Sequence, residues 1–508
     1  VKVSAAEEVI EIRTMVDLYN VRNNPSGHYM LMNDIDLMGY AWTPIPNFSG
    51  KFDGNGFRIK NLYINNPSGS SIGLFTQITD KGEVKNLVLE NVQVTGGNNV
   101  GALAGVNKGT ISNVGVKNGT VSGNNYVGGL VGVSYGKSSE IDKTFARVEV
   151  SGSNYVGGLV GQLGEYQSQH YKWSGSIKES FVSGNVTGTN NVGGLVGIIE
   201  MGSAVDVFFS GNVNGNNKIG GMVGELGTAS SSGSLNRSYA VGNVNGKKEV
   251  GGLVGYIRNG SVSNSFALNN EVTGESNIDK AVGGGKRGTR IYAPSHSKIH
   301  AINVTDLLSE EDVFDQATYE NAGFDFTNVW EMDQSGLPVL KFNDELTLVI
   351  PEFTDKPYLK MVDGEVYNLI YSVEDLESVR ISPEKNFQLT TDLDLTEIEN
   401  WEPISNFEGI FDGNNHFIKN LKINRASTNN VGLFGSIRKT GKVINLVLQN
   451  VEIVGNNSVG SLAGYMSSSG GISNVSVENG NISGNEKVGG LIGEIYIPAS
   501  PNGFASFI

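Results

Sequence analysis

Apolar residues recur in short alternating runs along most of the chain, and glycine or asparagine cuts each run. In Val84-Lys-Asn-Leu-Val-Leu-Glu-Asn-Val-Gln-Val94 the pairs Leu87/Leu89 and Val92/Val94 alternate on either side of a Glu-Asn break. Ile444-Asn-Leu-Val-Leu-Gln-Asn-Val-Glu-Ile453 repeats that pattern. Ser180-Phe-Val-Ser-Gly-Asn-Val-Thr-Gly188 and Ser238-Tyr-Ala-Val-Gly-Asn-Val-Asn-Gly246 keep a related line. A period of two, bounded by Gly and Asn, predicts short β-strands joined by tight turns.

Between the runs one phrase returns. It reads Val100-Gly-Ala-Leu-Ala-Gly105, Val127-Gly-Gly-Leu-Val-Gly132, Val156 to Gly161, Val192 to Gly197, Ile219-Gly-Gly-Met-Val-Gly224 and Val250 to Gly255, with a weaker echo at Val282-Gly-Gly-Gly285. It comes back at Val431-Gly-Leu-Phe-Gly435, Val459 to Gly464 and Val488-Gly-Gly-Leu-Ile-Gly493. Successive copies in the first series start 27 to 36 residues apart. About 28 residues supply two or three short strands with their turns, one coil of a solenoid whose units bury apolar faces only against neighbours. The expected fold is all-β, a parallel β-helix in two tandem copies with short capping helices.

A longer repeat defines the copies. Phe48-Ser-Gly-Lys-Phe-Asp-Gly-Asn-Gly-Phe57 recurs as Phe407-Glu-Gly-Ile-Phe-Asp-Gly-Asn-Asn-His416, an offset of 359 residues (412 − 53). Each copy opens on Thr14-Met-Val-Asp17 or Ser372-Val-Glu-Asp375, a capping box with Asp for Glu, which predicts a short helix over the first coil's open edge. The expected domains are 1–345, a β-helix with an aromatic C-terminal lid; 346–358, a linker; and 359–508, a second β-helix read as truncated. Within the lid, Val304 to Phe314 reads as a helix, followed by Gly323-Phe-Asp-Phe326, Trp330 and Gly336-Leu-Pro-Val-Leu340. The insert Glu165-Tyr-Gln-Ser-Gln-His-Tyr-Lys-Trp173 fills the longest interval and is expected to leave the coil as a loop.

Composition narrows the function. The 69 glycines fall largely at fixed places in the repeat, so they are scaffold. A net charge of −15 argues against binding nucleic acid, which needs a basic face. With no cysteine, disulfides and thiolate metal sites are excluded. No apolar run approaches a membrane span. The first residues lack a signal peptide's charged start and apolar core, so the N-terminus reads as mature or trimmed.

Candidate chemistry is sparse. None of His28, His170, His296, His300 and His416 has the Glu-x-x-His partner a zinc peptidase needs. Gly69-Ser-Ser71-Ile-Gly73 matches a nucleophile elbow by letters, yet it precedes a strand rather than a helix. Asp34/Asp36 and their twins Asp392/Asp394 place two carboxylates on one strand face, suited to binding calcium, to flanking a glycosidic bond or to capping backbone amides at a turn. A polysaccharide-cleaving β-helix would need converging charges, for which Glu140, Asp142, Lys143, Lys286 and Arg287 are the candidates. Tyr126 and Tyr155 hold matching places one coil apart and predict a small stacked ladder. The ligand-contact candidates are Tyr166, His170, Tyr171 and Trp173, on a loop over 162–175; a second presenting loop is expected over 285–300.

The recurring phrase closely resembles the GLUG motif of bacterial surface proteins and of the non-catalytic region of some immunoglobulin A proteases, which are zinc metallopeptidases. The resemblance covers about residues 10–345 and 360–495. It implies an exported β-helical module, often part of an adhesin or of a substrate-handling region. The zinc motif of those peptidases is absent from this sequence, so no catalytic residue carries over.

The reading is a non-catalytic adhesion or recognition module of a larger bacterial surface protein, extracellular, with a host protein or glycan as partner. The alternatives are an accessory region of an immunoglobulin A protease-like zinc peptidase and a carbohydrate-active β-helix. No cofactor is expected beyond calcium at the acid pairs.

Overall fold

The computed structural model describes residues 8–168, 171–296, 304–342, 348, 349, 351, 357–467 and 469–496. The chain divides into two compact units, one reaching to Asp355 and the other starting at Lys356.

The first unit is a parallel β-solenoid. Two of its walls are sheets of eight strands each, and a 20-stranded sheet makes the third. The repeated phrase turns the corner between the two eight-stranded walls. Its first valines stack from coil to coil, Val127 on Val156, Val192, Ile219, Val250 and Ile278. Its second valines stack likewise from Val131 to Val282. Both columns, and the leucines between them such as Leu130 and Leu159, are buried, completely so except at Ile278. Period two and the glycine corners thus turn apolar side chains of all three walls into the coil interior.

This register corrects the seventh copy of the phrase. Val282 pairs with Val254, the fifth residue of the phrase, so the copy is Ile278-Asp-Lys-Ala-Val-Gly283 rather than an echo beginning at Val282. Asp279 and Lys280 stand where the other coils have two glycines. Lys280 is wholly buried and its Nζ donates to the Asn269 carbonyl. Burial, which penalises the ammonium, pushes its pKa down to about 7.

The opening helices form as the capping boxes predict. Thr14 caps Met15–Asn20, with both arms of the box made. Ser372 caps Val373–Glu377, its Oγ accepting from the Asp375 amide at 3.1 Å. In the second unit this segment sends Leu376 and Val379 into the core, beside Trp401, Phe407, Phe411 and Phe434. The tandem copies agree in detail: Trp42 Nε1 donates to Leu74 O at 3.2 Å, and Trp401 Nε1 to Leu433 O at 3.1 Å. The second unit stacks three strands, Phe434–Ile437, Ala463–Ser467 and Ile492–Tyr496, where the first has eight.

Three local expectations change. Asp306–Leu308 is a strand, paired in parallel with Thr289–Pro294, and helix is confined to Glu310–Val313 and Gln316–Asn321. The open backbone edge of the last coil takes up those residues before Ser309 can cap a helix. Much of the expected loop 285–300 is therefore wall, since Thr289–Pro294 also pairs with Gly260–Ala267. Residues 297–300 lie outside the described residues.

The third change concerns the aromatic lid, which runs back along the solenoid's flank. Phe145, Phe181, Phe208, Tyr239, Phe266 and Tyr292 occupy one outward-facing register position. Phe181, Phe208 and Tyr239 stack nearly parallel, with centroids 4.9 and 5.1 Å apart. Phe208, Tyr239 and Phe266 are fully buried because Tyr319, Phe324, Trp330 and Leu340 pack over them. Tyr239 donates to Pro338 O at 2.6 Å and Trp330 Nε1 to Asp206 Oδ1 at 3.2 Å. An apolar column outside the coil has no other route out of water, so the segment follows the column. Leu348 is buried in the same cluster, and the Val349 amide donates to Ser210 Oγ at 2.9 Å, so part of 346–358 docks on the first unit.

A Cβ on Gly194 would lie 2.1 Å from Gly221 O and 2.5 Å from the Phe209 ring. Gly194→Val should therefore destabilise the first unit by roughly 1–3 kcal/mol through overpacking. Denaturant unfolding checks this; an unchanged midpoint would contradict the stacked-corner geometry.

Candidate functional site

The insert between Leu163 and Gly175 is an antiparallel hairpin rather than a loop. Glu165–Ser168 pairs with Tyr171–Trp173, setting Glu165 opposite Trp173 and Tyr166 opposite Lys172. Leaving the wall deprives these backbone groups of a neighbouring coil, and pairing with each other satisfies them. The hairpin's base is tied to the next coil by Glu200. One of its oxygens accepts from Gln162 Nε2 at 2.8 Å, and its carboxylate accepts from the Tyr166 backbone N–H. Partial burial pushes the Glu200 carboxyl above the usual glutamate range, against the lowering effect of the Tyr166 amide.

A cleft of about 450 Å³ opens beside this hairpin in the first unit. Val106, Val133 and Ile198, three rungs of an outer column that runs Val106, Val133, Gln162, Ile198, give it apolar lining, and each is less than a tenth exposed. Tyr126, Tyr155, Tyr135 and Tyr166 line it with Glu165, Glu200, Gln162, Asn99 and Thr228. The Tyr126 and Tyr155 rings stack at 4.8 Å and 5° between planes, the ladder their spacing predicts. Both residues have φ of 56°, in the left-handed region that bulky side chains rarely enter. Asn99 (φ 52°) and Asn191 (φ 53°) fill the corresponding position in the flanking coils, where a short amide is tolerated. Burial raises the pKa of both tyrosines, so their hydroxyls remain protonated donors through neutral pH.

Tyr166 is thus placed in the cleft. Trp173 sits at the far end of the hairpin's second strand, with Lys137 Nζ 5.9 Å from its ring centre. His170 and the Tyr171 side chain lie outside the described residues. Tyr135, Tyr155, Gln162 and Glu200 were not expected as site residues. They come from three coils, and the one signal in the sequence is tyrosine at rungs where neighbouring coils carry asparagine.

The acid pairs bind their own chain. Asp34 accepts from the Arg58 amide at 3.0 Å and meets Lys60 Nζ at 2.7 Å. Asp36 accepts from the Met38 amide at 2.9 Å and from Asn61 Nδ2 at 2.7 Å. Asp392 holds Lys419 Nζ at 2.8 Å and the Phe417 amide at 3.1 Å, while Asp394 holds Thr396 and Asn420. Hydrogen bonds from Lys60, Asn61, Lys419 and Thr396 respectively are the leading cause that holds these four carboxyls below the usual range. Such partners make turn caps.

Glu140, Asp142 and Lys143 do share a wall with Lys178 and Glu179 of the next coil. Glu140 meets Lys178 at 2.8 Å and raises its pKa, which leaves a poor base. Lys286 Nζ donates to Asn259 Oδ1 at 2.9 Å, and Arg287 is exposed. Among the described residues no three of His, Cys, Asp and Glu gather as a metal site, and no helix is long and apolar enough to cross a membrane.

Residues 152–187, the coil that carries the hairpin, match the GLUG motif. The chain carries a GLUG motif. Halomucin of Haloquadratum walsbyi is 36% identical over 124 residues, which cover 22% of this chain and 1% of that protein. A protein of Evansella cellulosilytica, provisionally named a Gly-rich membrane protein, is 40% identical over 111 residues, covering 19% of this chain and 13% of its own. The chain therefore spans only a small share of the length of these curated relatives. A crystal structure of a candidate immunoglobulin A1 protease from Bacteroides ovatus shares 18% identity at a TM-score of 0.43, covering 67% of this chain and 94% of that one.

The Glu200 geometry predicts a pH effect. A carboxyl whose pKa is raised in the fold binds a proton on folding, so its contribution favours the folded state at low pH and is lost as pH rises through the folded value. The contribution of Glu200 to stability should fall as pH rises from the ordinary value of 4.5, so Glu200→Gln should gain stability relative to the parent over that rise. Urea unfolding at a series of pH values checks it; identical slopes would count against a buried Glu200.

Proposed function

We propose that this GLUG solenoid is a non-catalytic recognition module of an exported protein, extracellular in setting, which presents the hairpin cleft to a host protein or glycan. The observation that carries the reading is the hairpin itself. Along the wall next to it, side-chain amides bond to the preceding coil, Asn125 to Asn98 and Asn154 to Asn125, each at 2.8 Å. At residues 165–173 the chain leaves the coil, and Glu200 and Gln162 fix the departure beside an open, tyrosine-rich cleft. Loops held on a rigid repetitive scaffold are the usual carriers of binding. The membrane designation of the Evansella relative supports an exported setting. The charge rows favour a scaffold over a catalyst, because Lys178 and Glu140 are paired with each other.

The test is a variant in which residues 164–174 are shortened to the two-residue link that joins Ile199 to Gly202. It should melt as the parent does and lose binding to whichever surfaces the parent holds in a panel of immobilised glycans and extracellular-matrix proteins. Undiminished binding by the shortened chain, or no binding by the parent, would refute the recognition role.

A further inference from the structure

We infer that the cleft beside the hairpin is a saccharide site for a neutral or N-acetylated sugar, with the Tyr126 ring as its stacking face. This rests on the recognition reading above and names its ligand class. A pyranose offers an apolar face of C–H groups and a rim of hydroxyls. It therefore calls for an exposed aromatic face, an apolar floor, and fixed acceptors and donors around them.

The cleft supplies each. One face of Tyr126 rests on Tyr155, which holds the ring rigid. The other face points toward the preceding coil, where the smaller Asn99 stands in register and itself lines the cleft. Glu165, Glu200 and Gln162 supply oxygen acceptors, and the tyrosine hydroxyls remain donors. The volume, about 450 Å³, falls in the range of roughly 300–1,000 Å³ that small-molecule sites occupy.

Backbone conformation is the independent observation. Tyr126 and Tyr155 adopt a left-handed φ in a column where Ser71, Asn99, Asn191, Lys218, Glu249 and Asn277 do the same. Stability alone favours asparagine there. In this column the two tyrosines alone put rings at the turn, side by side on successive coils.

Charge fixes the class. The lining contains two carboxylates, Glu165 and Glu200, and no lysine or arginine. Lys108 and Lys172 lie over the rings of Tyr135 and Tyr166, outside that lining. A uronic or sialic acid would bring its carboxylate against these two, with the lysines at the rim, 5.0 and 5.5 Å from the Tyr135 and Tyr166 ring centres, as its counter-charges. Neutral sugars carry no such cost.

The experiment uses the full chain and the double variant Tyr126→Asn, Tyr155→Asn, which restores the residue that flanking coils use at that turn. Binding of chitohexaose, cellohexaose and oligogalacturonate is measured by calorimetry, beside a glycan array. The parent should bind neutral or N-acetylated oligosaccharides and not oligogalacturonate. The double variant should lose about tenfold or more in affinity while melting at the parent's temperature or above. Absence of every neutral sugar from the parent's ligands, preference for the uronate, or unchanged affinity in the double variant would overturn the site. If the parent holds a matrix protein through its hairpin and the double variant holds it equally well, the sugar site fails while the recognition role stands. A parent that holds no surface at all defeats both.

Discussion

The structure of the first unit depends on one close approach, that of each glycine corner to the carbonyl of the next coil. A Cβ on Gly129, Gly158, Gly194, Gly221 or Gly252 would lie 2.1–2.2 Å from the oxygen of its counterpart one coil on. Backbone-to-backbone contact at this point lets the walls stack at strand spacing and aligns Val127 through Ile278 and Val131 through Val282. With the corner fixed, the rest of each coil may differ in length and sequence without losing register. The column ends where Lys280 replaces glycine and turns its amine into the coil interior.

Because the corners carry the register, side chains on the outer walls are free to specialise, and they do so in two ways. On one flank an aromatic column from Phe145 to Tyr292 draws the segment 306–342 back along the solenoid, burying Trp330 completely. On another wall the outer column of Val106, Val133, Gln162 and Ile198 stays under an open cleft, bounded by the hairpin and by two tyrosines in left-handed backbone. The first arrangement stabilises the fold. The second leaves apolar and aromatic surface beside donors and acceptors, which is the composition of a binding site.

Much of the architecture was legible in the sequence. Alternating runs gave the strands, the phrase gave the coil, and the capping boxes at Thr14 and Ser372 gave the helices, because each rests on interactions within a few residues. The expectations that changed all involve partners far along the chain. Asp306–Leu308 has a local pattern compatible with helix, yet the open edge at Tyr292–Pro294 claims it as a strand. The aromatic segment reads as an end lid until the Phe181–Phe208–Tyr239 stack shows which surface needs cover. Of the candidate site, Tyr166 was visible in the insert and Tyr126 and Tyr155 as a ladder, whereas Glu200 lies 34 residues above Tyr166 in number (200 − 166) and lines the same cleft only through coil stacking.

The sequence by itself determined a repeated parallel solenoid, duplicated in tandem, since strand period, glycine spacing and turn chemistry are local properties that each coil repeats. Tertiary structure alone decided which residues from successive coils share a face. That outcome depends on the register at the corners, and a shift of one residue there would turn Tyr126, Tyr155 and Phe208 to the opposite side of their strands. The cleft, the covered flank and the buried Lys280 are products of that register.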